Sequence, residues 1–183
     1  MYSSSAQVEI IAYYKERNLV IPDISVGGSP AYKLLLQIPE ITEVRPGVYI
    51  FNDAASVSRG GALYKECALS VLSTVISISK EGKYAVLDGG AKTFSYCCPG
   101  IVYGNKILHG VMKDNTKVCL SGLSEEHGIL DLENYQGDLH VGDKVEIIPS
   151  HACPLVNLAD EMVLVDGSDV IGQLKVDARG KTN

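Results

Sequence analysis

No basic stripe runs along this chain, no apolar stretch approaches the length of a bilayer span, and no C-x-x-C pair occurs among its cysteines. Each absence removes a class of function. Lysine and arginine are scattered singly, the net charge is −6 and the isoelectric point is near 5.2, so the electrostatic footprint of a nucleic-acid binder is missing. A transmembrane helix needs about 20 consecutive apolar residues. The start, Met1-Tyr2-Ser3-Ser4-Ser5, lacks the basic and apolar regions of a signal peptide. The sequence therefore predicts a cytoplasmic protein with neither nucleic acid nor membrane as partner. Its five cysteines are an odd number, and the adjacent Cys97-Cys98 make a poor start to a disulfide framework, so reduced thiols acting as small hydrophobes are expected. Internal repeats, low-complexity tracts and flexible linkers are also missing, which speaks against a solenoid or a fibre.

What is present is ordinary globular material: 183 residues, 46% hydrophobic and 21% charged, enough for one domain or one domain plus a fragment of another. The chain changes grammar near residue 60. Before it, Val8–Arg17 carries apolar residues at helical spacing with Asn18 as a stop. Leu19–Ile21 begins an extended segment reaching Ser25-Val26-Gly27-Gly28-Ser29-Pro30, Ala31–Gln37 reads as a short helix, and Glu43–Phe51 reads as a strand. That alternation is an α/β unit with too few strands to close a barrel by itself. After it, short strands dominate: Ala68–Ser79, Tyr84–Leu87, Lys117–Leu120, Gly128–Leu132, Lys144–Ile148, Glu161–Val165 and Val170–Val176, separated by Gly, Asp and Asn turns. The fold expected is mainly β, an antiparallel β barrel or sandwich at 61–183, preceded at 1–60 by the last βα units of an incomplete α/β barrel. Arg179–Asn183 reads as a frayed tail.

Three features could carry chemistry. In Pro149-Ser150-His151-Ala152-Cys153-Pro154, extended backbone would turn the imidazole of His151 and the thiol of Cys153 to one face, where they could bite one soft cation such as zinc. The same residues fit a satisfied histidine beside a buried thiol. Gly27-Gly28-Ser29-Pro30, at a strand-to-helix junction, offers backbone N–H groups and a hydroxyl to a phosphate, or simply caps the helix. Arg45-Pro46-Gly47-Val48 adds a second glycine amide near an arginine. In Ser124-Glu125-Glu126-His127-Gly128 the histidine fits a proton carrier or a solvated loop. His109 and His140 read as lone loop histidines, and Lys92 lacks acidic or aromatic neighbours in sequence that would suit a Schiff base.

Taken in order, five segments resemble the fold-type III pyridoxal-phosphate enzymes of the D-serine dehydratase and D-threonine aldolase type. They are Ser25–Pro30, Glu43–Asp53, Leu87–Lys92, Ser124–Gly128 and Pro149–Leu158. The resemblance implies an N-terminal α/β barrel holding pyridoxal 5'-phosphate and a C-terminal β domain completing the site. By it, Gly28 and Ser29 with the backbone of Gly47 and Val48 sit against the cofactor phosphate, with Arg45 and Tyr49 nearby. His151 and Cys153 become ligands of zinc or another divalent metal that activates the β-hydroxyl of a D-amino acid substrate, in a homodimeric lyase. A cysteine as second ligand leans toward the dehydratases, and Pro154–Leu158 toward the aldolases, so both activities stay open. The Schiff-base lysine of such enzymes lies early in the barrel, and Lys15, Lys33 and Lys65 match none of the motifs. The chain therefore reads as the C-terminal portion of such a lyase, with apolar faces left exposed; the alternative is a non-catalytic metal- or ligand-binding β domain that keeps the fold.

Overall fold

In a computed structural model of the chain, residues 4–29, 32–96, 101–103 and 106–181 are described. The first helix, α1 (Ser4–Glu16), stops at Asn18, whose positive φ of 52° breaks the helical path. The extended segment expected from Leu19 is shorter than its composition suggested: Val20 is 91% exposed, and only β1 (Ser25–Gly27) forms a strand. Its partner is equally short. β1 pairs in parallel with β2 (Glu43–Arg45), across a helical turn, α2 (Tyr32–Leu35). The expected strand through Phe51 ends here because Pro46 has no N–H to donate and Gly47 turns into helical backbone. Val48–Ile50 is instead a 3₁₀ turn. Pro30 and Ala31, the expected start of α2, lie outside the described residues.

Then comes α3 (Ala54–Ser58), capped by Asp53, and from residue 71 the β-branched, partly alternating pattern produces a barrel. β3 (Val71–Ile78), β4 (Tyr84–Leu87), β7 (Gly110–Met112), β8 (Cys119–Leu123), β9 (Gly128–Asp131) and β10 (Lys144–Pro149) close in the order β10-β3-β4-β9-β8-β7, every pair antiparallel. Closure decides between the two expected architectures in favour of the barrel, and it leaves these six strands without a free edge. Between β4 and β7 lie α4 (Ala91–Phe94) and the small hairpin β5 (Ile101–Tyr103) and β6 (Lys106–Leu108), strands the sequence patterning did not disclose.

Inward-facing Val75, Ala85, Leu87, Leu120, Leu130 and Ile147, all fully buried, fill the barrel. Each large aliphatic side chain so buried contributes about 1.5–3 kcal/mol. Because side chains alternate along β10, Ile148 faces the other way, into a second cluster with Ala54, Ala55, Leu108 and Val111. That cluster fastens α3 to the outer face of β10. The chain continues through α5 (Ala152–Leu158) into a hairpin, β11 (Glu161–Asp166) and β12 (Asp169–Lys175), which pairs only with itself. The stretch expected to fray is held over its described part: Arg179 pairs with Asp160 at 3.0 Å and the Gly180 N–H donates to Asn157 Oδ1 at 2.9 Å.

Candidate metal and cofactor site

β10 ends at Pro149 and the backbone turns at once into α5. Extended geometry therefore does not run through His151-Ala152-Cys153, and the two-residue alternation expected there is corrected. His151 is the N-cap, with φ −142° and ψ 114°, whereas Cys153 is already helical and Pro154 occupies a first-turn position where no N–H is needed. His151 is half-buried, Ala152 fully buried and Cys153 exposed. A half-buried imidazole and an exposed thiol within three residues fit the donor chemistry of a soft divalent cation. No group of three or more His, Cys, Asp or Glu suited to a metal occurs among the described residues, so further ligands would be water, substrate or groups from elsewhere.

Sequence reasoning missed the group that sets this turn. The carboxylate of Asp53, only 2% exposed, accepts three hydrogen bonds: from the Ser56 N–H and hydroxyl at Oδ1, both 2.7 Å, and from the Ala152 N–H at Oδ2, 3.1 Å. It caps α3 and reaches 99 residues along the chain to the first N–H of α5. The signal was available as Asp53 followed three residues later by Ser56, but a five-residue helix shows no periodicity.

His109, expected in a loop, is buried at 8% exposure. Its carbonyl accepts the Ser150 N–H at 2.8 Å, its ring meets Tyr96 edge-on with centroids 5.2 Å apart, and its Nδ1 has no hydrogen-bond partner among the described residues. Burial holds this imidazole below the ordinary histidine value of 6.5. The unfolded chain therefore binds a proton that the folded chain refuses, and stability present above that value is lost as pH falls through it. In calorimetry between about pH 7.5 and 5.5, the wild-type Tm falls more steeply than that of His109→Gln; equal slopes would remove the buried neutral imidazole from the account.

The second element is the cradle. The Ser29 hydroxyl accepts the N–H groups of Gly47 and Val48 at 2.8 and 2.9 Å, so two backbone donors converge on one oxygen. Gly28 enters this turn at φ +121°, a conformation that strains any other residue. The Arg45 guanidinium bonds the Ser25 hydroxyl and lies over Gly27, where an added Cβ would meet it at 3.4 Å. Tyr49 is half-exposed with its ring 6.3 Å from that of Tyr32. Both N–H groups are taken up by the Ser29 hydroxyl, and a phosphate oxygen replacing it as acceptor would meet the same two converging donors. β1, β2 and the 3₁₀ turn thus bring Ser29 to Gly47 and Val48, and Arg45 to Gly27.

Other expectations resolve as structural features. His127 lies in an exposed turn closed by Ser124. Lys92, without acidic neighbours in sequence, meets them in space: it bonds Glu126, lies 3.8 Å from Glu125, and the Glu126 hydrogen bond raises its pKa. Cys67 and Cys119 are half-buried against the second cluster, and none of Cys67, Cys119 and Cys153 forms a disulfide. Burial pushes the Cys67 thiol up to about 11, marking it as an inert packing group. Cys97 and Cys98 lie outside the described residues. No helix among the described residues is long and apolar enough to cross a membrane.

Comparison with known proteins agrees with the barrel and with the family resemblance. The family described as "Putative serine dehydratase domain" matches residues 68–165, more than half of the chain. The D-threo-3-hydroxyaspartate dehydratase of Delftia sp. is 30% identical over 146 residues, covering 74% of this chain and 38% of that protein. The D-threonine aldolase of Filomicrobium marinum superimposes with a TM-score of 0.72 at 26% identity, covering 96% of this chain and 46% of its own. A cysteine-to-alanine variant of a D-threo-3-hydroxyaspartate dehydratase, solved in a metal-free form, shares the fold with a TM-score of 0.71 at 23% identity, covering 90% of this chain and 46% of that one. The chain thus spans about two fifths to one half of the length of these relatives. Its barrel and its 98-residue match make it a member of the serine dehydratase domain family, the C-terminal part of the fold-type III pyridoxal-phosphate enzymes that include D-threo-3-hydroxyaspartate dehydratase and D-threonine aldolase.

Proposed function

We propose that this chain is the C-terminal portion of a metal- and pyridoxal-phosphate-dependent lyase acting on β-hydroxy D-amino acids, by D-serine dehydration or D-threonine retro-aldol cleavage. The observation that carries this reading is that the family match, residues 68–165, encloses the imidazole and thiol at the start of α5. A D-threo-3-hydroxyaspartate dehydratase whose cysteine-to-alanine variant was solved in a metal-free form supports it. In this reading residues 1–60 end a cofactor-holding α/β barrel, residues 61–183 form the β domain, and the whole enzyme is a cytoplasmic homodimer.

His151 and Cys153 hold the divalent metal, which supplies Lewis acidity at the substrate β-oxygen. The N–H groups of Gly47 and Val48, exchanged from the Ser29 hydroxyl, would hold the phosphate of pyridoxal phosphate together with that hydroxyl and Arg45, and the cofactor would supply an electron sink. Gly28 lets the backbone approach the phosphate and Tyr49 lies beside it. The chain's own contribution is thus to anchor one anion and one cation at fixed backbone positions, joined by the short segment from Val48 to Asp53.

A second reading, a binding domain without turnover, is favoured by one observation: every lysine whose side chain is described is exposed, and Lys15 and Lys92 are paired with glutamates. Sequencing the gene upstream of the Met1 codon and expressing the whole frame separates the two. A segment bearing the lysine, with release of a 2-oxo acid and ammonia from D-serine or of glycine and an aldehyde from D-threonine, supports the lyase and names its branch. Bound zinc with no Schiff-base absorption and no product from either substrate leaves the binding domain.

A further inference from the structure

Two peptide planes flank the Cα of His151, and both are pinned by the same short helix. Ahead of His151, the Ser150 carbonyl accepts the Ala55 N–H at 3.1 Å; behind it, the Ala152 N–H donates to Asp53 Oδ2 at 3.1 Å. The Ser150 N–H adds a third bond, to the His109 carbonyl at 2.8 Å. With both planes fixed, φ and ψ of His151 are fixed, and its imidazole keeps only side-chain rotations. The same Asp53 bond sets the first N–H of α5, and hence the position of Cys153 one residue on. Its other oxygen is held by Ser56, and Ala54 and Ala55 are locked by the second hydrophobic cluster.

We infer that Asp53 is the positioning residue of the His151/Cys153 metal pair, acting from outside the 68–165 stretch that the family match covers; this rests on the metal reading above. Both oxygens of Asp53 are taken by Ser56 and Ala152, so it acts through the backbone and not as a ligand. It orients the backbone that carries both ligands, and preorganised ligands bind metal with less ordering cost. It also places the pair and the phosphate cradle on one continuous segment, since Val48 ends the cradle and Asp53 begins the clamp.

Cobalt(II) titration of the purified 183-residue chain tests this, because a thiolate–cobalt absorption band reports ligand geometry without any turnover. Asp53→Asn keeps the shape but presents one N–H₂ group, so Ser56 and Ala152 can no longer both be satisfied. Asp53→Ser still caps α3 but is too short to reach Ala152. Both variants are expected to keep a cooperative thermal transition, to bind cobalt about 10-fold more weakly and to shift or lose the thiolate band at saturation. Ser56→Ala, which removes one bond to the same carboxylate and leaves Ala152 held, is expected to lower Tm without moving the band. Wild-type affinity and band in both Asp53 variants overturn the proposal, and so does loss of cooperative folding in both, which makes Asp53 a residue of the fold alone. A wild-type chain that binds no cobalt sinks the metal reading itself, a distinct result.

Discussion

Exchanging Cys153 for alanine weakens zinc binding by at least about 100-fold and leaves the fold standing. In the proposed site, to which the described residues bring two ligands, losing one removes more than the 10–100-fold that outer partners typically account for. The thiol is the soft donor of the pair, so its loss also removes the preference for zinc over harder cations. Stability changes little because Cys153 is exposed and outside both hydrophobic clusters. Competition titration against a zinc indicator, run beside thermal unfolding, measures both. Unchanged affinity in Cys153→Ala, or a Tm drop as large as that of a core mutant, would contradict the assignment.

The largest loss of stability falls in the barrel. Leu120→Ala costs about 3–4 kcal/mol, because a fully buried leucine loses its transfer free energy and leaves a cavity its neighbours fill only in part. Leu120 lies opposite Gly110 on β7 and Leu130 on β9, so closure of the sheet holds both flanking strands in place around the hole. Urea unfolding gives the value, and the Tm shift is on the order of 10 °C for a chain of this size. A cost under about 1 kcal/mol would mean that the barrel interior is not the principal core.

Much of the fold was legible because the barrel strands carry their own signals. Tyr84–Leu87 was bounded by Glu81-Gly82 and Asp88-Gly89-Gly90 and forms β4 without a shift, while Lys144–Ile148 lost only Pro149. Closure itself was not legible, since barrel and sandwich strands alternate alike and only register separates them. The short elements were also hidden. Three-residue strands such as Gly110–Met112 and five-residue helices such as Ala54–Ser58 are made by tertiary pairing and capping, not by periodicity. Misreadings followed the same rule: Leu19–Ile21 has strand composition but no partner, and Val48–Ile50 was pulled out of a strand by Pro46 and Gly47.

The candidate site divides in the same way. Ser29, Gly47, Val48 and Arg45 were singled out from residue type; the first three meet in one turn, and Arg45 lies over Gly27 on the neighbouring strand. His151 and Cys153 were singled out from type and order, on a backbone premise that the turn into α5 replaces. Asp53 and His109 escaped because their importance lies in contacts 99 and 41 residues away, which spacing along the chain does not encode.

X-ray absorption at the zinc edge of the zinc-loaded chain tests the metal pair most directly. One sulfur at about 2.3 Å and imidazole nitrogen at about 2.0–2.1 Å, with the remaining shell made of light atoms, is the result this account predicts, the sulfur disappearing in Cys153→Ala and the imidazole signal in His151→Ala. A zinc shell without sulfur, or one that the Cys153→Ala exchange leaves unchanged, would contradict it.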